Sequence, residues 1–236
     1  MKSLVSVAAV VASLGMSSLA SAALVYGGGT ETGSRFNPGQ AGVISYMNCF
    51  TATGAADSQL LLDSISVGIR RGPTAGFLTS VGINIYAAEM TYDATTQSFG
   101  LGANYLVYSG KLGADAAGGF ITQQVGTGAI SGVTLNLERT SNAGLGGFWI
   151  GVEFTGPNAT NAINGWRVVN APATGASVNG FGMFNYNASG SFAAFYNFGA
   201  GAPSRFMVNV DGSLVPAPGA LALLGLAGVA GSRRRR

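Results

Sequence analysis

The chain has 236 residues, of which 47% are hydrophobic and only 9% are charged, and glycine occurs 38 times. It contains no histidine and one cysteine, Cys49. This composition excludes Ser–His–Asp and Cys–His catalysis, histidine-ligated zinc and an intrachain disulfide. Low charge with recurrent apolar segments is typical of an exported β-protein and unlike a disordered chain.

The N-terminus has the parts of a secretory signal peptide. Lys2 supplies the positive region and 4–14 supplies the apolar region. The small residues of the cleavage site are Ala20, Ala22 and Ala23. A membrane anchor or a buried helix is the alternative, but the apolar run is short. We therefore predict a signal helix over 1–22, removed by a signal peptidase, and a mature chain that begins at Ala23. The glycine run 27–29 predicts a flexible mature N-terminus.

Between 23 and 214 the apolar residues recur with period two, which predicts strands with one core face and one solvent face. The alternation is clearest in 81–86, 133–138, 148–154 and 206–211. Further strands are predicted at 42–50, 60–70, 104–111, 120–125, 165–169, 183–187 and 193–198. Short antiparallel strands separated by turn residues predict an all-β domain, a single antiparallel β-sandwich of jelly-roll type, with a barrel as the alternative. Cys49 is expected to be a small buried apolar residue of the strand over 42–50.

Carboxylates are the remaining candidates for catalysis or metal binding. A carboxylate pair can hydrolyse a glycoside, and the candidates are Glu89, Glu138 and Glu153. Each falls at or near a polar strand position, where a solvated charge needs no catalytic role. A calcium site could use Asp57, Asp63, Asp93 or Asp115, but no Asp-x-Asp loop spacing supports one. We predict a protein that is not an enzyme and uses no cofactor or metal.

Aromatic residues and asparagines are interleaved over 181–198. Aromatic rings beside amides are the chemistry of sugar recognition, because sugar C–H groups stack on the ring and amides bind hydroxyls. The alternative, which the sequence favours, is a hairpin whose aromatic rings fill the core. Trp149 is out of phase with the apolar face of its strand, so we expect it to be exposed. The candidate glycan contacts are Trp149, Tyr186 and Tyr196.

The C-terminal segment over 215–236 combines three elements. Val215, Pro216, Ala217 and Pro218 form a Val-Pro-x-Pro motif, which predicts an extended, solvated tether. The apolar run 219–231 follows, and as a helix it would cover only about 20 Å of a roughly 30 Å hydrocarbon core. The chain ends in Arg233, Arg234, Arg235 and Arg236, a cluster that stays on the cytoplasmic side of a membrane. The segment is therefore predicted to hold the chain in the membrane only transiently.

The two ends together resemble the PEP-CTERM class of bacterial exported proteins. This resemblance implies that an exosortase recognises the C-terminal tail and removes it. Ala217 replaces the glutamate that usually stands between the prolines. An ordinary C-terminal membrane tail is the alternative. The strand layout of the middle of the chain is also similar to that of exported β-sandwich proteins that carry this signal.

Charge and location define the predicted function. Without Lys2 and the four terminal arginines, seven basic residues stand against nine acidic ones, so nothing supports nucleic-acid binding. We predict a structural or adhesive protein of the cell envelope, cell surface or extracellular matrix, with transient inner-membrane insertion. A carbohydrate-binding, lectin-like module that binds extracellular polysaccharide is the alternative, and a glycoside hydrolase is the second alternative.

Overall fold

The computed structural model describes residues 23–27, 29–37, 43–53, 57–70, 81–111, 120–125, 130, 132–141, 144–156, 159, 165–170, 172–177, 183–186, 192–196 and 205–216. These residues form an almost entirely antiparallel β-structure of two packed sheets. The predicted all-β, two-layer architecture is confirmed, whereas the jelly-roll subtype stays a prediction. The predicted helices over 1–22 and 219–231 lie outside the described residues. Within the described ranges, no helix is long and apolar enough to cross a bilayer.

The first sheet contains eight strands in the described part of the chain. They are β1 (Ala23–Tyr26), β2 (Glu31–Phe36), β4 (Asp57–Arg70), β7 (Phe120–Val125), β8 (Thr134–Asn136), β10 (Gly165–Val169), β13 (Arg205–Phe206) and β14 (Val208–Pro216). The main path runs β1-β14-β4-β10-β13, while β2 pairs with β10, and β7 and β8 pair with β4. The long strand β4 therefore organises this sheet.

The second sheet contains six strands among the described residues: β3 (Ile44–Ala52), β5 (Gly82–Asp93), β6 (Ser98–Lys111), β9 (Leu145–Thr155), β11 (Met183–Tyr186) and β12 (Phe192–Tyr196). Their order across the sheet is β12-β11-β3-β9-β5-β6. The central pairs are long: β9 is in register with β3 from Ile44↔Glu153 to Ala52↔Leu145. Strands β3, β9 and β5 form the centre of this sheet.

The core lies between the two sheets and follows the predicted alternation. In β9, Phe148, Ile150, Val152 and Phe154 all belong to the main buried cluster. The facing sheet contributes Ile65 and Val67 of β4 and the stacked rings of Trp166 and Phe206, whose centroids are 4.5 Å apart. Cys49 is fully buried here, as predicted, and burial raises the pKa of its thiol. Burial of this apolar surface is the main stabilising contribution to such a fold.

The six-stranded sheet also buries part of its outer face, which overturns the prediction of an exposed Trp149. The Trp149 side chain is 0% exposed and packs with Tyr46, Phe50, Ala88 and Met90 in a second buried cluster. Its indole Nε1 donates a hydrogen bond to the carbonyl oxygen of Gly100 at 2.9 Å. The predicted core face of β9 is confirmed, but its opposite face is buried rather than solvated at Trp149. A sheet covered on both sides accepts apolar residues at both phases of the period.

Gly27, the first residue of the glycine run, forms an isolated β-bridge to Thr174, so the prediction of a flexible N-terminus is wrong at this residue. Strand β1 pairs with β14 from Ala23↔Gly212 to Tyr26↔Val210, and Val25 and Tyr26 are buried. The Gly27 amide donates to the carbonyl oxygen of Thr174 at 3.1 Å. Gly27 has φ +139°, which only glycine adopts readily, and this allows the chain to leave β1 close to β14.

The last strand extends into the predicted sorting motif. Val215 lies opposite Gln59 and Pro216 opposite Asp57, and both motif residues are half-buried. These two residues are therefore part of the sheet, and the prediction of a solvated tether is wrong for them. The other motif residues, Ala217 and Pro218, and the cluster Arg233 to Arg236 lie outside the described residues.

Candidate functional site

A partly exposed polar cluster occupies the outer face of the six-stranded sheet beyond the buried Trp149. We call it the outer-face cluster; its members are Asn84, Tyr86, Asn104, Leu106 and Glu153. Strands β5, β6 and β9 position it through the register pairs Asn84↔Glu153 and Tyr86↔Leu106. Because Ile83 and Ile85 point into the core, the intervening Asn84 and Tyr86 lie on the opposite face.

Glu153 is the hydrogen-bond acceptor at the centre of this cluster. The Tyr86 hydroxyl donates to Glu153 Oε2 at 2.8 Å, and Asn84 Nδ2 donates to the same oxygen at 2.9 Å. Burial, together with the adjacent Glu153 carboxylate, raises the pKa of Tyr86 to about 12. Tyr86 is therefore a neutral phenol at physiological pH and keeps its proton for Glu153.

Asn104, on β6, is held in place by the buried side chain of Tyr46. Asn104 Nδ2 donates to the hydroxyl of Tyr46 at 2.7 Å, and the ring centroids of Tyr46 and Tyr86 lie 6.5 Å apart. Tyr46 can lie flat against β9 because residue 151 is glycine: a Cβ there would lie 2.6 Å from Tyr46 Cε1. Packing and hydrogen bonds thus hold the amide and aromatic groups in fixed positions.

Leu106 supplies an exposed apolar surface beside Tyr86. Its side chain is 55% exposed, whereas the next residue, Val107, is buried. The register shifts here, since Ile85 pairs with Tyr108 but Tyr86 pairs with Leu106. The extra residue in β6 is a β-bulge, which re-aims neighbouring side chains. An exposed aliphatic group next to an aromatic ring, amides and a carboxylate has the composition of a sugar-binding surface.

The three candidate catalytic carboxylates have different hydrogen-bond partners. Glu89 accepts hydrogen bonds from the backbone amide and Nδ2 of Asn136, at 3.0 and 2.6 Å. Glu138 accepts from the backbone amides of Thr140 and Ser141, at 2.5 and 3.0 Å, and from the Ser141 hydroxyl. Glu138 therefore closes its own turn, while Glu153 belongs to the outer-face cluster.

The register also separates Glu89 from Glu153. Glu89 lies opposite Phe148, and Glu153 lies opposite Asn84, five positions away along β9. At about 3.4 Å per residue this distance is roughly 17 Å, beyond the 5–10 Å that a glycosidase pair needs. An odd number of positions also places the two side chains on opposite faces of the sheet. These two residues do not form the predicted type of carboxylate pair.

Two of the candidate calcium ligands, Asp63 and Asp93, lie on strands of different sheets. Asp93 accepts hydrogen bonds from the Thr95 amide at 2.8 Å and the Thr96 hydroxyl at 2.9 Å; these bonds lower the pKa of Asp93 and close the β5–β6 turn. Asp63 lies in the middle of β4. Asp57 starts β4, with its side chain outside the description, and Asp115 lies outside the described residues. In the described part of the chain, no three His, Cys, Asp or Glu side chains lie together.

The predicted glycan contacts have different outcomes. Trp149 is buried, so it lacks the exposed ring face that stacking on a sugar requires. In the backbone register, Tyr186 lies opposite Ile44 and Tyr196 opposite Met183, which places both at the β11–β12 end of the six-stranded sheet. Their side chains lie outside the description, so they stay predicted contacts. Ala23, from the predicted cleavage site, begins β1, while Ala20 and Ala22 lie outside the described residues.

The sequence did not identify four members of the outer-face cluster as site residues: Asn84, Tyr86, Asn104 and Leu106. Asn84 and Tyr86 occupied the polar phase of a recognised strand, and Glu153 was a candidate for another reason. The signal that could have found the site is the presence of a tyrosine and an amide at alternate polar positions of one strand. Only the register brings these residues beside Glu153.

Comparison with known proteins yields limited similarity. No family model matches the chain, and no curated protein matches it. A structure of the cysteine protease and lectin-like domains of Cwp84, a surface layer associated protein of Clostridium difficile, is similar with a TM-score of 0.36 and 13% identity, over 74% of this chain and 33% of that one. A clostridial Cwp84 structure after propeptide cleavage gives 0.35 and 12%, over 74% and 37%. The chain thus spans about a third of the length of these structures.

Proposed function

We propose that this protein is an exported, non-enzymatic β-sandwich of jelly-roll type that has an adhesive role in the cell envelope, cell surface or extracellular matrix. It adheres by binding polysaccharide through the outer-face cluster. The observation that carries this proposal is the hydrogen-bonded set of Asn84, Tyr86 and Glu153 beside the exposed Leu106.

The chemistry of the outer-face cluster fits a pyranose ring. The apolar C–H face of a sugar can pack on Leu106 and the partly exposed Tyr86 side chain, while its hydroxyls can bond to Asn84, Asn104 and Glu153. The polar groups are already held by one another and by three paired strands. Such preorganisation lowers the entropic cost of binding.

Retention on insoluble polysaccharide tests this proposal. Purified protein from expression of the full chain is compared with its Leu106→Ala and Asn84→Ala variants. Each variant should bind roughly two- to tenfold more weakly, because it loses an apolar contact or a hydrogen bond. Leu24→Ala is the matched control, since Leu24 is also exposed, at 40%, but lies on β1 of the other sheet. Equal retention of all folded variants would overturn the proposal.

The two terminal segments define the proposed route of export and processing. The signal peptide starts translocation, the segment 219–231 holds the chain in the inner membrane with the arginines inside, and an exosortase removes the tail. This route rests on the sequence pattern of the two ends of the chain. The test is the intact mass of protein recovered from the cell surface or medium. A mass that still includes Arg233 to Arg236 would contradict C-terminal processing.

A further inference from the structure

We infer that the outer-face cluster selects glycans that present hydrogen-bond donors and no negative charge. Neutral polysaccharides and polysaccharides with free amino groups fit this description, and polymers of uronate, sulfate or phosphate do not. The inference rests on the proposed function and specifies the ligand class of the same site.

The donors of the cluster are largely used inside it. An ionised carboxylate can only accept hydrogen bonds, so the Tyr86 hydroxyl and Asn84 Nδ2 must both donate to Glu153 Oε2. Asn84 Nδ2 also lies 3.5 Å from the Tyr86 hydroxyl oxygen, within donating distance. Asn104 Nδ2 gives one of its hydrogens to Tyr46. Little donor capacity is left for a ligand.

The polar atoms of the cluster that remain available to a ligand are mainly hydrogen-bond acceptors. Within the described residues, Glu153 Oε1, Asn84 Oδ1 and Asn104 Oδ1 accept no hydrogen bond. A sugar hydroxyl or an ammonium group can donate to these oxygens. A ligand carboxylate, sulfate or phosphate can only accept, and it would leave them unpaired while it loses its own water.

The negative charge of Glu153 also disfavours anionic glycans. Glu153 places a negative charge in the middle of the cluster, and its partners Asn84 and Tyr86 are neutral. The basic residue of β6, Lys111, is in register with Gly82, two positions along β5 from Asn84, so it lies at the rim. A like-charged group about 4 Å from Glu153 in water should weaken binding roughly fivefold. Anionic glycans are therefore disfavoured by both charge and hydrogen bonding.

The experiment compares retention of the protein on three matrices: a neutral glucan, chitosan and immobilised polygalacturonate. At low salt, retention on polygalacturonate should be at least roughly fivefold weaker than on the glucan. Glu153→Gln removes the charge and adds N–H donors, so its retention on polygalacturonate should rise towards that on the glucan. Glu89→Gln is the matched control, because it removes a carboxylate that bonds to Asn136 outside the cluster, and it should keep the wild-type preference.

The outcomes separate this inference from the proposed function. If no matrix retains the protein, or if Leu106→Ala is retained like wild type, the proposed function fails and the inference with it. If Leu106→Ala weakens retention but polygalacturonate is retained as well as the glucan, the inference alone is overturned. Should Glu153→Gln not fold, added salt provides a second test in the wild-type protein. Salt screens the repulsion and should raise retention on polygalacturonate, and no rise would overturn the inference.

Discussion

Tyr86 and Glu153 lie on neighbouring strands and share a hydrogen bond of 2.8 Å, in which the phenol donates to Oε2. On the same face, Trp149 lies four residues before Glu153 and is completely buried. The outer face of the sheet is thus apolar and covered at one end, and polar and accessible at the other. The covered end fixes the strands on which the polar groups stand, and this makes the accessible end a rigid surface.

Burial of Tyr86 beside Glu153 should make the protein less stable at alkaline pH. The pKa of Tyr86 is raised from 10.0 to about 12 in the folded protein. Between these values the unfolded chain loses the proton and the folded chain keeps it, so the free energy of unfolding falls as pH rises. Tyr86→Phe should show a smaller fall in urea midpoint from neutral pH to about pH 12. Equal falls in both proteins would show that the pKa of Tyr86 is not raised.

The burial of Trp149 predicts a large loss of stability on truncation. Trp149→Ala should lower the free energy of unfolding by about 3–5 kcal/mol, because it empties a packed site against Phe50 and Phe99. Trp149→Phe keeps an aromatic ring but loses the hydrogen bond to Gly100, so its cost should be smaller. Urea unfolding followed by circular dichroism measures both. A Trp149→Ala cost under about 1 kcal/mol would be the value for an exposed side chain and would contradict the burial.

The strands were easier to predict from the sequence than the outer-face cluster. The strands over 120–125 and 165–169 have the predicted bounds, because period-two patterns and turn residues are local signals. Strand β1 was not predicted, because its four residues are too few to show a period and glycines follow them. The partners Tyr86 and Glu153 are 67 positions apart in the chain. Their contact depends on strand register, which is set by the whole fold rather than by a local pattern.

The turn between β5 and β6 contains a residue in an unfavourable conformation. Gln97 has φ 53°, in the left-handed region that glycine tolerates best. Gln97→Gly should raise the free energy of unfolding by up to about 1 kcal/mol, because relief of the backbone cost exceeds the added entropy of the unfolded chain. Ala94→Gly is the control at a turn position without positive φ, and it should be neutral or destabilising. Thermal unfolding compares the two, and a lower midpoint for Gln97→Gly would refute the interpretation.

The docking of β1 onto β14 is tested most directly at Gly27. An alanine Cβ at Gly27 would lie 2.7 Å from the Val208 carbonyl oxygen and 2.9 Å from Asn209 Cα, which are backbone atoms that cannot move aside cheaply. Gly27→Ala should therefore lower the free energy of unfolding by about 1–3 kcal/mol. Gly132→Ala is the matched control, since Gly132 also has positive φ, 84°, but nothing lies within 4 Å of its added Cβ. The larger loss should occur at Gly27, because only there does backbone strain combine with a collision. Equal losses at the two positions would mean that β1 does not lie tightly against β14.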